Sequence, residues 1–402
     1  MTATIPEERS GARWSRLPPA DVAFYLVVIM GYLAATALVI VLGGANPDRM
    51  MLVAERALGG SLDSDALKGA TDIVNVNGRY YIAIGPLQLL PYLPFAAVTA
   101  LQGIGRFIVC LSFGIPAACL ALPLARAYGA RGADAFWIAA AAAFGTLLSY
   151  ATVFGNMYHL AHAESFLALT IFLLEWAGRR RPVVLGGAMA VSFLARPTTL
   201  LAAVPFGLVL LWQRRAQLAA AARTAVVFGL PSAVAIGFYC WFNWVRFGSP
   251  LETGYAISYL SQPVLQARRE MGLFSIADVP ENFRLAFLAL PGFVDHFPFV
   301  APSTWGMSML LVSPALFTSA WAGIRDRTAQ LLWITAIIVA IPVFLYYGGG
   351  YVQYGFRYSL DFTPFLVALM AIGSRRWVGW PERLLVVASV LSVTFGIVWH
   401  AR

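Results

Sequence analysis

Apolar runs long enough to cross a membrane fill most of this chain, and they limit the folds open to it. A helix rises 1.5 Å per residue, so about 20 consecutive apolar residues cross a hydrocarbon core of about 30 Å. Sixty per cent of the 402 residues are hydrophobic and only 12% are charged, which is too apolar for a soluble domain. The chain is therefore predicted to be an all-α, polytopic membrane protein.

About eleven transmembrane helices are predicted from these runs. They are Val22–Gly43, Phe107–Leu124, Asp134–Val153, Leu160–Ala177, Val183–Ala195, Thr198–Gln213, Thr224–Val245, Met307–Gly323, Leu331–Tyr347, Leu360–Gly373 and Leu384–His400. The first is too long for a cleaved signal peptide and is interpreted as a signal anchor. The short fifth and sixth runs form either two short spans or a re-entrant hairpin, with Arg196-Pro197 at the turn.

A further apolar stretch, Leu87–Leu101, is too short to span easily and contains Pro91 and Pro94. If it lies flat on the outer surface as an interfacial helix, six arginine clusters fall on one face, which must then be cytoplasmic. The clusters are Arg9/Arg13/Arg16, Arg126/Arg131, Arg179–Arg181, Arg214/Arg215/Arg223, Arg325/Arg327 and Arg375/Arg376/Arg383. This arrangement predicts a cytoplasmic N-terminus and an external C-terminus.

The formal charge of +9 follows from this topology. All of the excess positive charge lies on the cytoplasmic side, because basic and acidic residues balance on the outer side. The arginines are spread over six short loops rather than one stripe, so a nucleic-acid partner is not expected. Arginine also replaces lysine almost everywhere except Lys68, which suggests a GC-rich bacterial genome. We expect a multi-pass protein of the bacterial inner (plasma) membrane.

Two long outer loops, residues 44–106 and 246–306, are the sequence features that most suggest a functional face. The first begins with Asn46, a plausible helix cap, and Pro47 in the first helical turn, followed by a short amphipathic helix at the membrane surface. Asn77-Gly78 predicts a tight turn. We expect residues 1–402 to form one integral-membrane domain with no separate soluble domain.

Two carboxylates on the outer side are candidate catalytic groups. Asp48 lies at the start of the first outer helix, where it could equally serve only to complement the helix dipole. Glu164 lies about one turn inside the fourth span, where an ionisable residue usually has a function. A metal site formed by His159, His162 and Glu164 is the minor alternative, because no fourth ligand is visible.

Several cationic and aromatic residues occur at a similar depth on the same side. Any of them could anchor the protein at the interface, but together with the carboxylates they favour an anion site that binds a phosphate or sugar. The candidates are Arg79, Tyr80, Tyr81, Arg106, His162, Arg196 and Arg357.

In their order along the chain these residues resemble the GT-C superfamily of integral-membrane glycosyltransferases, in particular the protein O-mannosyltransferase and aminoarabinose transferase branch. The resemblance covers most of the chain. It rests on Asp48 after one span, Gly78–Tyr81, Gly85–Pro94, His162-Ala163-Glu164, Arg196-Pro197-Thr198, residues 243–255 and Gly355–Asp361. The chain departs from it in having Arg49 after Asp48 and Gly85 before Pro86, where relatives carry Glu and Lys.

The resemblance implies a glycosyltransferase that moves a hexose or pentose from a polyprenyl-phosphate carrier to an acceptor at the outer membrane face. Asp48 would be the general base of an inverting reaction, the arginines would stabilise the departing phosphate, and Glu164 would orient the acceptor or hold an arginine. Expected partners are the lipid-linked donor, membrane lipid and an unidentified glycan, lipid or protein acceptor. No cofactor is expected, although a divalent metal stays open. A transporter or flippase is the alternative.

Overall fold

The computed structural model describes residues 17–402, and the predictions for Arg9, Arg13 and Arg16 lie outside this range. Helices dominate the described part of the chain. The α-helices are α1 Pro19–Gly43, α2 Arg49–Leu58, α3 Leu93–Ala96, α4 Gln102–Ala127, α5 Gly132–Phe144, α6 Leu147–Phe154, α7 Met157–Ala177, α8 Pro182–Ala195, α9 Ala203–Gln213, α10 Leu218–Phe247, α11 Pro263–Glu270, α12 Val279–Phe283, α13 Met309–Val312, α14 Arg327–Leu345, α15 Thr363–Gly373 and α16 Trp380–Ala401.

Other turns of helix and two small hairpins complete the described structure. The strands are β1 Ile73–Val76, β2 Arg79–Ile82, β3 Gly292–Phe293 and β4 Val300–Ala301, paired antiparallel as β1–β2 and β3–β4. The 3₁₀ segments are Asp65–Leu67, Leu90–Tyr92, Thr99–Leu101, Pro197–Ala202, Ile276–Asp278, Pro314–Ala322, Arg357–Asp361 and Ser374–Arg376, and Arg284–Leu288 forms a π-helical turn. The predicted all-α, polytopic class is confirmed.

The described residues contain fewer long, uninterrupted helices than the eleven spans predicted from the sequence. Six described helices are long and apolar enough to cross a membrane, and the pair α5 and α6 adds a seventh if its 43° bend lies within one span. These seven correspond to the first to fourth, seventh, ninth and eleventh predicted spans. The fifth and sixth are the shorter helices α8 and α9, so the choice between two spans and a hairpin stays open.

Three predicted helices are interrupted. The eighth predicted span is the four-residue α13 followed, from Pro314, by a 3₁₀ segment, and the tenth divides into a 3₁₀ segment and α15. The predicted interfacial helix Leu87–Leu101 is three short turns rather than one helix. Proline accounts for the breaks near residues 91, 94, 314 and 364, because it lacks the N–H that continues a helix.

The helical bundle is organised around α15, in which every residue except Ile372 is buried. It packs against α4, α7, α14 and the segment Pro314–Ala322. The helices α4 and α6 approach closely at Gly114, where any side chain would overlap Thr152. This tight packing holds α6 against α4, and α7, whose first turn enters the candidate site, follows α6 and packs against both helices.

Ion pairs in the described residues agree with the predicted division of charges between two faces. Asp21 binds Arg126 at 2.5 Å, and Arg383 approaches Asp134 at 3.4 Å; all four residues were assigned to the cytoplasmic side. No described ion pair joins residues assigned to opposite faces. Which face is cytoplasmic stays a prediction.

The first outer loop forms the expected surface helix but begins it two residues later. Asp48, in an extended conformation, is the N-cap of α2, whereas Asn46 was predicted to be the cap. The predicted turn at Asn77-Gly78 is confirmed, since both residues have positive φ and connect β1 to β2. Such left-handed conformations are the ones a two-residue hairpin turn requires.

The two long outer loops contact each other beside this hairpin. Ile73 of β1 forms an isolated antiparallel bridge with Tyr259 of the second loop. Asp72 N donates to Tyr259 O at 2.7 Å, and Tyr259 N donates to Ile73 O at 2.8 Å. The loops therefore form one structure beside the N-terminus of α7.

Candidate functional site

Asp48 lies between the N-termini of α2 and α7. Its Oδ1 accepts from Met51 N at 3.1 Å, while Oδ2 accepts from Met157 N at 3.2 Å and from the Tyr92 hydroxyl at 2.9 Å. The Met157 N–H has no partner within its own helix, and the Met51 N–H also donates to Asp48 O at 3.1 Å, so the Asp48 carboxylate stabilises both helix starts. The side chain is held rigidly by three donors.

The environment of Asp48 raises the pKa of its carboxyl above the ordinary value. Burial is the main cause, and it outweighs the hydrogen bonds from Tyr92 and the Met51 amide and the charge of Arg106, which act in the opposite direction. A raised pKa makes a carboxylate a stronger base at neutral pH. Arg106 has no described carboxylate partner: its guanidinium approaches Gly44 O at 3.5 Å, and its Nε is buried without a hydrogen bond.

A second carboxylate, that of Asp72, contacts the same first turn of α7. Its Oδ2 accepts from the Tyr158 hydroxyl at 2.9 Å, next in sequence to the Met157 amide that binds Asp48. Burial raises the pKa of the Asp72 carboxyl, and the Tyr158 hydrogen bond and nearby arginines partly oppose this rise. The first turn of α7 thus contacts both Asp48 and Asp72.

The arginines near Asp72 come from three separate elements. Arg49 begins α2, Arg269 lies in α11, and Arg357 opens a 3₁₀ segment; the positive charge of each lowers the pKa of Asp72. None of the three forms an ion pair within the described residues.

These three arginines are held instead by neutral acceptors. Arg49 donates to Thr71 O at 2.9 Å, Arg269 to Ser258 O at 2.5 Å and Arg357 to Tyr351 O at 3.3 Å. Their charges are therefore positioned but not neutralised. Such a group favours an anionic ligand, since charge-assisted hydrogen bonds to phosphate are among the stronger ones.

Arg196, in contrast, is paired within the protein. It donates to Asp361 at 2.8 Å through Nη2 and at 3.2 Å through Nε, and the His162 ring contacts the other oxygen of the same carboxylate at 3.0 Å. Asp361 is completely buried. The predicted anion-binding roles of Arg196 and His162 remain untested, but the geometry gives both a structural partner that the sequence did not reveal.

Glu164 is buried beside Gln88 rather than beside an arginine. Gln88 Nε2 donates to Glu164 Oε2 at 3.0 Å and also to Ala195 O at 3.1 Å. The other carboxylate oxygen, Oε1, is buried without a partner. Glu164 and Asp48 both raise the pKa of Tyr92, after the larger effect of burial. No described arginine contacts Glu164, so of the two roles expected for it, orienting the acceptor or holding an arginine, the second has no contact to support it.

The hairpin residues Arg79, Tyr80 and Tyr81 lie apart from these contacts. Arg79 is exposed beside the turn and makes no side-chain hydrogen bond among the described residues, whereas Tyr81 is buried and its ring meets Phe247 at 5.9 Å. The structure therefore does not place Arg79 with Arg357 or Arg106. The proposed sugar clamp stays a prediction without a geometric contact to support it.

The described residues contain no assembled set of ligands for the metal site that the sequence left as an alternative. Within residues 17–402 no three His, Cys, Asp or Glu side chains come together in a way that could hold a metal ion. His162 contacts Asp361, and both ring nitrogens of His159 are buried without partners. Independence from metals and cofactors stays a prediction.

Sequence reasoning missed several residues of this site. Asp72 and Arg49 were visible in the first outer loop but had no motif that marked them, and Arg269 lay in the second loop. Tyr158 and Tyr92 provide the hydroxyls that bind the two carboxylates. The position of these residues in the sequence was the only signal that could have indicated them. A polar residue near the start of a helix often contacts the segment of chain that caps that helix.

Comparison with known proteins identifies a related fold. No protein-family model and no curated protein sequence matches this chain. The crystal structure of ArnT from Cupriavidus metallidurans in the apo state is similar, with 16% identity and a TM-score of 0.50 over 91% of this chain. A second structure of the same protein, bound to undecaprenyl phosphate, has 17% identity and a TM-score of 0.48 over the same share.

This chain covers 62% of the apo ArnT chain and 61% of the bound one, so it spans about three-fifths of the length of the proteins it matches. At this level of identity the similarity concerns the fold. The polytopic membrane fold expected from the sequence is the fold that this chain shares with the apo ArnT structure.

Proposed function

We propose, from this fold and site, that the protein transfers one sugar from a polyprenyl-phosphate carrier to an acceptor at the outer face of the bacterial inner membrane. The hydrocarbon tail of such a donor must stay in lipid while its phosphate and sugar reach water. A site at the start of α7, beside the surface helix α2, meets both requirements. The transferred group would be a hexose or a pentose.

The observation that carries this proposal is that the first turn of α7 contacts two carboxylates, Asp48 and Asp72, and that three arginines without an ion-pair partner lie near Asp72. Transfer releases the sugar from a phosphate that gathers negative charge. Positioned cations stabilise that charge without having to reorganise during the reaction. Arg357, Arg49 and Arg269 are the best placed to do so, and Arg106 lies near Asp48.

Asp48 is the proposed general base. Its raised pKa suits it to removing a proton from the hydroxyl of the acceptor. A carboxylate offers about four acceptor positions, and Asp48 uses three of them in the described structure. One position is therefore left for the incoming hydroxyl. Attack on the anomeric carbon opposite the departing phosphate would invert the linkage.

Glu164 is proposed to act indirectly, through the segment that contains Gln88. Its contact with Gln88 links α7 to the region before the short turns of residues 90–101. Arg196 and His162 would hold Asp361 and the neighbouring Arg357–Asp361 segment in place. All three residues are thus proposed to position the site rather than to touch the reacting atoms.

The experiment uses labelled polyprenyl-phosphate hexoses and pentoses added to membranes that contain the protein and its natural acceptor. We expect release of polyprenyl phosphate to depend on the protein for at least one sugar. Arg357→Ala should lower donor use by about 10- to 150-fold, the effect of losing a charge-assisted hydrogen bond, and Arg357→Lys should restore part of it because lysine keeps the charge.

Arg284→Ala is the matched control, since Arg284 is an arginine of the second outer loop that pairs with Glu281 away from these carboxylates. It should leave donor use unchanged. Absence of protein-dependent release for every donor, with a folded protein, would refute the proposed function. Equal losses for Arg284→Ala and Arg357→Ala would show that the effect comes from general surface charge.

A further inference from the structure

We infer that Asp72 binds the sugar of the donor, accepting hydrogen bonds from its hydroxyl groups, and so helps to determine which sugar the protein uses. This inference rests on the proposed function and assigns a ligand to a residue that no motif marks. It depends on the backbone of Asp72, its free acceptor positions and the charges around it.

The backbone of Asp72 is fixed in an uncommon conformation. Its φ is +62°, a left-handed value that aspartate adopts more readily than most residues but still rarely. Hydrogen bonds on both sides hold it there: Asp72 N donates to Tyr259 O at 2.7 Å, and Ala83 N donates to Asp72 O at 3.1 Å. Residues held in such regions by their surroundings are concentrated at binding sites.

The side chain of Asp72 retains more acceptor capacity than the neighbouring carboxylates do. Its Oδ2 accepts one hydrogen bond from Tyr158, and its Oδ1 accepts none within the described residues. The residue is only partly buried. Asp48 is already bound by three donors, and Asp361 is completely buried against Arg196 and His162. Of these three, Asp72 is therefore the carboxylate most free to bind a hydroxyl group.

The charges place this carboxylate next to the proposed phosphate position. Arg49, Arg269 and Arg357 are near enough to lower the pKa of Asp72, yet no ion pair among the described residues includes Asp72. If the arginines bind the phosphate, the group one bond further along the donor is the sugar. The sugar then lies within reach of the free oxygen of Asp72.

Aromatic side chains continue from the arginines toward Arg196. The ring centres of Tyr346 and Tyr358 are 5.8 Å apart, those of Tyr255 and Tyr346 are 6.4 Å apart, and Tyr347 is adjacent. Ligand sites commonly combine aromatic walls with a few placed polar groups. A sugar has apolar C–H faces for such rings and hydroxyl groups for Asp72.

Two other roles for Asp72 give different results. It could serve only to anchor Tyr158, or it could itself be the general base. An anchoring role predicts that Tyr158→Phe acts like Asp72→Asn. A role as base predicts that Asp72→Asn lowers kcat while leaving donor binding intact.

The test measures binding of bare polyprenyl phosphate and of polyprenyl-phosphate sugars to the purified full-length protein. We expect Asp72→Asn to weaken binding of the preferred sugar-bearing donor by about 10- to 150-fold, the range for hydrogen bonds to a charged group, and to leave binding of the bare carrier unchanged. Arg357→Ala should weaken both ligands. Tyr158→Phe should have a smaller effect than Asp72→Asn on the sugar-bearing donor.

In turnover assays Asp72→Asn should raise KM for the donor and change kcat little. The inference is overturned if the wild-type protein discriminates sugar-bearing donors from the bare carrier and Asp72→Asn discriminates equally well, if Tyr158→Phe reproduces the whole loss, or if only kcat falls. Failure of the wild-type protein to bind either ligand would instead refute the proposed function. A thermal unfolding midpoint for Asp72→Asn equal to that of the wild type excludes misfolding as the cause.

Discussion

Replacing Asp48 with asparagine separates the catalytic role proposed for this residue from its role in capping helices. The amide has nearly the same shape, but it has one acceptor oxygen instead of two. In the wild-type protein Oδ1 serves the Met51 amide, while Oδ2 serves the Met157 amide and the Tyr92 hydroxyl. The hydroxyl can rotate and accept from the new NH₂ group. The two amides compete for one oxygen.

The cost to stability follows from this competition. If the amide oxygen stays with Met51, the Met157 N–H at the start of α7 loses its acceptor, which costs about 1–3 kcal/mol. If the amide group turns the other way, the Met51 N–H keeps Asp48 O as a second acceptor and the cost is smaller. Domains typically have a free energy of unfolding of about 5–15 kcal/mol, so nearly all of the variant should remain folded. Turnover should nevertheless fall by about 10²–10⁴-fold, because asparagine cannot accept the proton.

The assay compares kcat with the thermal unfolding midpoint in the same detergent. Asp48→Ser is an informative second variant, because serine can cap one helix but cannot act as the base. We expect Asp48→Ser to be as inactive as Asp48→Asn. Tyr92→Phe removes one hydrogen bond while keeping the carboxylate, so it should stay active. Near-normal turnover of folded Asp48→Asn would refute the role as base and leave Asp48 a double helix cap.

Three other predictions follow from the site and the proposed topology. Tyr92→Phe removes a hydrogen bond that lowers the pKa of Asp48, so the decline of kcat/KM at low pH should move to higher pH; movement to lower pH would contradict the proposed base. Arg196→Ala should destabilise the protein by about 3–5 kcal/mol, because it removes the arginine that pairs with buried Asp361. Adding Asp361→Ala should recover part of that loss in thermal unfolding. Unchanged stability of Arg196→Ala would favour the donor-binding role predicted from the sequence. Cysteines placed at Ser61, Gln102 and Gln262 should all react with an impermeant thiol reagent in intact cells, and protection of Gln102 alone would return residues 87–101 to the spanning class.

The regular parts of the fold could be read from the sequence because hydrophobicity is a local property. The long helices α1, α4, α7, α10 and α16 cover their predicted runs and extend beyond them by up to six residues. The errors occur where proline and short turns divide an apolar run, as at Pro314 and Pro91. The hydrophobicity of such a run is continuous, so it predicts one helix, although the backbone cannot continue the helix through the proline or turn.

The candidate site was less predictable because its members are far apart in sequence. Asp48 could be found, since a carboxylate after the first span and before an amphipathic helix is a local pattern. The partner of Arg196 lies 165 residues away at Asp361, and the hydroxyl that binds Asp72 lies 86 residues away at Tyr158. A single sequence shows the depth of an arginine in the membrane but not whether another residue already neutralises its charge.

The bridge between Ile73 and Tyr259 has a consequence for how this outer surface can be altered. The hydrogen bonds at this bridge join two loops that are separated by most of the transmembrane bundle along the chain. A chimera that receives only one loop from a relative would lose the backbone pairing that fixes Asp72. Exchanging residues 44–106 and 246–306 together should preserve this pairing. The two loops should therefore be exchanged as one unit in chimeras, and we expect them to change together in evolution for the same reason.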